Sequence, residues 1–236
     1  MNAPEPITIP LETGATTALV YRAADGAGAA LVLGHGAGAG QQSAFMVDFA
    51  RALAALGLDV ITFNFPYTEQ GRRIPDRGPT LQACYRAVID AVRREVASAR
   101  DALFIGGKSM GGRMATHVAA ADATLPVSGL VLLGYPLHPP GRPDERRDAH
   151  LPAVGRPMLF VQGSRDTFGL PAELTPVLGT LSPPPTLHIV EGGDHSFTLP
   201  KRNPTAQVDV YDEVQRTIAS WIGAVIRDDA RQSRTR

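Results

Sequence analysis

Short runs of wholly apolar residues recur along this chain, and between them the apolar positions fall three and four apart. Ala30 to Gly34 is apolar throughout and ends in glycine, the pattern of a strand buried on both faces. Leu58 to Phe65, Ala102 to Gly106, Val127 to Leu133, Met158 to Gln162 and Thr186 to Val190 are read as further strands. Ile7 to Leu11 and Ala18 to Arg22 are read as short antiparallel edge strands. Ser43 is expected to cap a helix whose Phe45, Phe49, Ala52 and Leu56 share the inward face, with Gly57 as its stop. Leu81, Tyr85, Val88, Val92 and Val96 mark the apolar stripe of a second helix. Met110 to Ala121 predicts a third, and Val210, Val214, Ile218 and Trp221 a last one. Residues 1–226 form a single domain on this reading. The charged tail, 227–236, is expected to be disordered.

Strands alternating with helices predict an α/β fold, a mostly parallel sheet with helices on both faces. Reactive groups in such a sheet collect beyond the carboxyl ends of the strands. Loops beginning at Gly34, Asn64, Gly107, Gly134, Gly163 and Glu191 all open on that edge. The stretch between the Val127 and Met158 strands is too short and proline-rich for a separate lid domain, so a shallow, open site is expected.

Composition narrows the function classes. The 236 residues are 44% hydrophobic and 19% charged, with a formal net charge of +0. No global field draws in nucleic acid or an anionic membrane. No apolar stretch reaches the roughly 20 residues that span a bilayer. Met1 to Thr13 lacks the basic and apolar regions of a secretory signal, and Cys84 is the single cysteine, which rules out an internal disulfide framework. A cytoplasmic protein is expected. Lysine is nearly absent: Lys108 and Lys201 are the two among 23 basic residues.

One of those lysines stands in Gly107-Lys108-Ser109-Met110-Gly111, a G-x-S-x-G placed between an apolar run and a helical stretch. Such a turn lifts the serine hydroxyl above the sheet edge and marks it as a nucleophile. A serine nucleophile needs a base. His195 follows the last strand and can accept and return a proton near neutral pH. Asp166, just past the preceding strand, is the expected acid, and Asp194 is its rival. Being adjacent in sequence to His195, Asp194 would point elsewhere. The order Ser109, Asp166, His195 is that of an α/β-hydrolase triad. The oxyanion hole needs two backbone N–H donors. Met110 is expected to supply one and Ala37 the other, with Gly36 as second choice. His35 is expected to prop that loop.

Competing motif readings fail on specific residues. Gly107-Lys108-Ser109 imitates the end of a P-loop, but Ala102 stands where the first glycine is required. Gly34-His35-Gly36-Ala37-Gly38-Ala39 fits a relaxed dinucleotide pattern, but Asn64 and Phe65 occupy the place of the acid. No cysteine or histidine spacing suggests a metal, and no cofactor is expected.

Four pieces, His35-Gly36-Ala37-Gly38, Gly107 to Gly111, Gly163-Ser164-Arg165-Asp166 and Gly193-Asp194-His195, resemble the α/β-hydrolase superfamily over nearly the whole chain. Asn64-Phe65-Pro66-Tyr67 and Gly134 to Pro140 are similar to its dienelactone-hydrolase-like branch of predicted hydrolases. That branch includes a subunit of a nuclear acetyltransferase complex. True dienelactone hydrolases carry a cysteine nucleophile, and here it is Ser109. The resemblance implies a serine hydrolase without naming what it hydrolyses. The open site suits small to medium acyl groups, and a small-molecule carboxylic ester or thioester is the expected substrate. The alternative is a weakly catalytic scaffold that binds a protein partner; a peptidase ranks lower, for want of a propeller or cap. Tyr67, Tyr135, His138, Phe197, Arg72 and Arg73 are the candidate pocket residues. Arg72, Arg73 and Arg77, with Arg142, Arg146 and Arg147, form either an anion site or a rim neutralised by nearby acids. Lys108 is expected to pair with a carboxylate beneath the site rather than cap a carbonyl. His117 and His188 are expected to be structural.

Overall fold

Strands and helices alternate along the computed structural model, which describes residues 3–24, 27–200 and 204–234. In chain order they are β1 (Glu5–Pro10), β2 (Ala15–Tyr21), β3 (Ala30–Gly34), α1 (Ala44–Ala55), β4 (Asp59–Phe63), α2 (Pro66–Glu69), α3 (Gly78–Glu95) and α4 (Ser98–Asp101). There follow β5 (Leu103–Lys108), α5 (Met110–Ala121), β6 (Gly129–Leu133), a 3-10 turn (Leu151–Ala153), β7 (Met158–Gly163), α6 (Pro171–Leu178), β8 (Thr186–Val190) and α7 (Pro204–Arg234).

The strands form one sheet in the order β1-β2-β4-β3-β5-β6-β7-β8. β1 and β2 make an antiparallel hairpin, β2 lies antiparallel to β4, and every later pairing is parallel. Side chains of the parallel strands alternate between two cores, as the two-residue period of a strand requires. Ala30 and Val32 of β3 face the core that holds α3 and α5, whereas Leu31 and Leu33 face the core that holds α1 and α7. Leu130 and Leu132 of β6 oppose Val131 and Leu133 in the same way. Burial on both faces is why these strands read as unbroken apolar runs.

Three local expectations change. The buried face of α1 is Met46, Phe49, Ala50 and Leu53, while Leu56 is 42% exposed. Phe45 packs at the edge of that core, stacked on Phe49 with ring centroids 4.2 Å apart. Ser43 stands at the N-cap of α1 but makes no side-chain cap bond. The tail is not loose through 227–234, because α7 carries on across Gly223 to Arg234. Val225 and Ile226 pack against the core immediately before it, and the exposed turn that follows pairs Asp228 with Arg231 at 3.9 Å. Residues 235 and 236 of the expected tail lie outside the described residues. The sequence reading also missed α2, α4, α6 and the 3-10 turn. Pro171 looks like a breaker of α6, yet it stands in its first turn, where a missing N–H costs nothing.

Candidate active site

Ser109 is the single residue between β5 and α5, and its backbone holds φ 51° and ψ −112°. That conformation is strained for a residue with a side chain. It is pinned from both sides: Ser109 N–H donates to Leu133 O at 2.9 Å, and Ser109 O accepts from Arg113 N–H at 3.0 Å. The turn also requires bare backbone around it. A Cβ on Gly107, which has φ +148°, or on Gly111 would overlap the backbone of Gly34. Three chain segments thus cross with no side chain between them.

The hydroxyl meets a hydrogen-bonded chain. Ser109 Oγ lies 2.8 Å from His195 Nε2, and His195 Nδ1 lies 2.8 Å from Asp166 Oδ2. Asp166 is fully buried, yet both its oxygens are satisfied. Gln162 Nε2 donates to Oδ2 at 2.8 Å and Phe168 N–H to Oδ1 at 2.8 Å. Phe168 stacks on the His195 ring at 4.1 Å between centroids, which fixes the plane of the imidazole. Asp194 is occupied elsewhere: its Oδ1 accepts from Ser196 N–H at 2.8 Å and Thr198 N–H at 2.9 Å, shaping the turn that carries His195. An imidazole between a hydroxyl and a buried carboxylate can take the hydroxyl proton while the carboxylate stabilises the imidazolium.

The loop after β3 borders the same cleft. Gly36, Ala37, Ser109 and Met110 all line it. Met110 opens α5, where the first N–H groups have no acceptor within the helix. His35 Nε2 accepts from Phe65 N–H at 3.2 Å, so Nδ1 carries the proton it donates to Gly36 O at 2.8 Å. Burial lowers the pKa of this imidazole, which keeps it neutral in its propping role.

The cleft has a volume of about 570 Å³, with Phe45, Met46, Pro75, Leu81, Pro136 and Phe168 among its apolar lining. None of the six expected pocket residues borders it. Tyr67 is buried and its hydroxyl accepts from Gly38 N–H at 3.3 Å, bracing the loop after β3. Tyr135 is buried and donates to Arg147 O at 2.7 Å. His138 is buried against Pro139 O and Glu173. Phe197 is buried beside Phe45 and Phe49. Each of these side chains belongs to the frame behind the cleft, because apolar aromatic bulk is better buried than left at an open rim. Arg72 pairs with Asp76 at 2.6 Å and Arg73 is exposed; neither lines the cleft.

The other arginines divide. Arg142 pairs with Glu145 at 2.9 Å and Arg146 with Asp148 at 2.6 Å, a neutralised rim. Arg147 does border the cleft, together with Arg113 of α5, which the sequence reading missed. Its signal was available: Arg113 stands four residues after Ser109, one turn on and on the same helix face, and is the one arginine or lysine of α5. Lys108 also differs from expectation. Its Nζ donates to His195 O at 2.6 Å, and among the described residues no carboxylate pairs with it. Burial pulls its pKa down to about 8, against the opposing pull of Asp166 and Asp194. His117 stacks on His150 at 3.6 Å.

Among the described residues no group of three His, Cys, Asp or Glu side chains could hold a metal ion, and no helix is long and apolar enough to cross a membrane. A lidless α/β serine hydrolase from Xanthomonas campestris has a similar fold, with a TM-score of 0.69 and 24% identity over 94% of this chain and 96% of that one. A dienelactone hydrolase from Anabaena variabilis gives a TM-score of 0.70 at 20% identity, covering 91% of this chain and 97% of that one. The esterase domain of a Rhodothermus marinus protein gives 0.70 at 15%, covering 94% and 98%. The profile of the alpha/beta hydrolase domain family matches residues 27–223, which spans the sheet from β3 to α7. With a serine at the elbow of that sheet, this chain belongs to the alpha/beta hydrolase domain family.

Proposed function

We propose that the chain is a serine hydrolase that cleaves a carboxylic ester or thioester of small to medium acyl size through an acyl-enzyme. The observation that carries this reading is the unbroken run of contacts from Ser109 through His195 to Asp166, each 2.8 Å. Ser109 Oγ attacks the carbonyl carbon as His195 Nε2 takes its proton. Met110 and Ala37 N–H groups, with Gly36 as the alternative donor, hold the oxyanion of the tetrahedral intermediate. As that intermediate collapses, His195 returns the proton to the leaving oxygen or sulfur. Water, deprotonated by the same imidazole, then releases the acid and restores Ser109. The cleft volume of about 570 Å³ suits a ligand of moderate size.

The scaffold alternative would be favoured by a site plugged by Tyr67, Tyr135 or Phe197. All three are buried away from the cleft, so no observation favours it. The test is intact mass after treatment with a fluorophosphonate. One adduct is expected on the wild type and none on Ser109→Ala. A folded wild type that takes no adduct would overturn the reading.

A further inference from the structure

Besides Lys108, whose ammonium is held by His195 O, two cations border the cleft with no acid paired to them among the described residues. Arg113 lies one helical turn beyond Ser109, and its Nε is buried with no hydrogen-bond partner among the described residues. Arg147 reaches the same cleft from the loop after β6. Tyr135 sets its place by bonding Arg147 O at 2.7 Å. Burial lowers the pKa of Arg113, and repulsion from the Arg147 guanidinium adds to it, against an opposing pull from Tyr135. His117 and His150, stacked 3.6 Å apart, feel the Arg113 charge as well and are held neutral by burial. The one carboxylate bordering the cleft, Asp76, is taken by Arg72 at 2.6 Å. Its second oxygen is buried without a partner, and neither cleft arginine pairs with it.

Arg113 and Arg147 are half-buried, and a partly desolvated guanidinium with a buried, unpaired Nε beside a like charge gains from an anion that joins it. By contrast Arg72, Arg142 and Arg146 each pair with an acid from their own loop. We infer that Arg113 and Arg147 form a carboxylate subsite, and that the substrate is an ester carrying a second, free carboxylate a few bonds from the scissile carbonyl. The spacing supports this class. Arg113 stands one helical turn from Ser109 and both border one cleft with Arg147, so one short ligand can reach the serine and the arginines together, as a hemiester of a short dicarboxylic acid would. A guanidinium fork receives a planar carboxylate through two parallel hydrogen bonds. The inference rests on the serine hydrolase reading and names the substrate class of that site.

The test compares ethyl hydrogen glutarate with ethyl valerate, matched in chain length, by ethanol release, and measures glutarate binding by calorimetry. Wild type, Arg113→Met and Arg147→Met are assayed. The readout is the ratio of kcat/KM for the two esters within each protein, which is independent of any general loss of activity. Arg147 lies on a loop, so its variant keeps the test valid if Arg113→Met does not fold. The wild type is expected to prefer the anionic ester by about tenfold or more, to bind glutarate, and to lose both in each folded variant. Equal turnover of the two esters without glutarate binding would overturn the subsite and leave the hydrolase reading intact. Glutarate binding lost in Arg147→Met, with neither ester cleaved, would support the anion site and overturn the hydrolase reading. Absence of both binding and turnover would overturn both.

Discussion

The two sides of Ser109 are built on opposite plans. On the strand side, Lys108, Asp166 and His195 are tied into one another's surroundings, and each buried polar group has a partner. On the helix side, Arg113, Arg147, His117 and His150 crowd together, with cations that no acid from the fold meets. Lys108 and Arg113 make the contrast sharpest, since both are cations bordering one cleft. Lys108 holds the carbonyl of His195 and so belongs to the scaffold. Arg113 is left with an open donor. Charge in an active cleft therefore has to be read by its partners and not by its location.

The largest expected effect lies on the strand side. Asp166→Asn keeps the shape but loses the charge that fixes the His195 tautomer, and should lower kcat by about 10³- to 10⁴-fold. Asp194→Asn should lower the melting temperature more than kcat, because that side chain only ties the turn. If Asp194→Asn proved the more damaging to kcat, the strand side would have been read wrongly. Next comes Lys108→Met. It leaves His195 O without its donor, a loss of about 1–3 kcal/mol, seen as a melting temperature lower by about 2–4 °C for each kcal/mol. A large fall in turnover with unchanged melting would show that Lys108 acts on the chemistry and would erase the contrast with Arg113.

The smallest effect belongs to the helix side and is read as pH dependence. Burial, with His117 and Arg113 nearby, pulls the pKa of folded His150 down to about 4, against about 6.5 for an unperturbed imidazole. Between those values the unfolded chain binds the proton and the folded one does not. Stability is thus full above pH about 6.5 and falls as the pH drops toward 4. His150→Gln should flatten that slope in chemical denaturation curves measured from pH 7 to 4. An unchanged slope would remove His150 from the cation cluster.

How much of this was legible in the sequence depends on what fixes each feature. The parallel strands and the elbow were legible because backbone constraints write themselves into residue types: apolar runs for strands covered on both faces, and glycines where Gly107 and Gly111 cross Gly34. The relay from Ser109 to Asp166 and His195 was legible because loop order at the sheet edge follows from topology. The cleft wall was not. Tyr67, Tyr135 and Phe197 lie on the right loops, but packing decides whether an aromatic faces inward or lines the rim, and all three went inward. The face of α1 was off for a related reason: Phe45 and Phe49 do stack, but the buried stripe runs through Met46, Ala50 and Leu53 and leaves Leu56 exposed. Arg113 escaped because its helix was read only for its start at Ser109 and not followed one turn further.

The lone thiol has a practical consequence. Cys84 lies on α3 with its Sγ turned toward Asn64 O, and burial pushes its pKa up to about 12. At neutral pH it is a protonated, shielded group that alkylating dyes reach poorly. The native protein is therefore silent to thiol labelling without any need to delete a cysteine. Ile74, 79% exposed and next to Pro75 on the cleft wall, becomes the natural attachment point. Ile74→Cys would place one fluorophore at the mouth, a direct optical reporter of what enters.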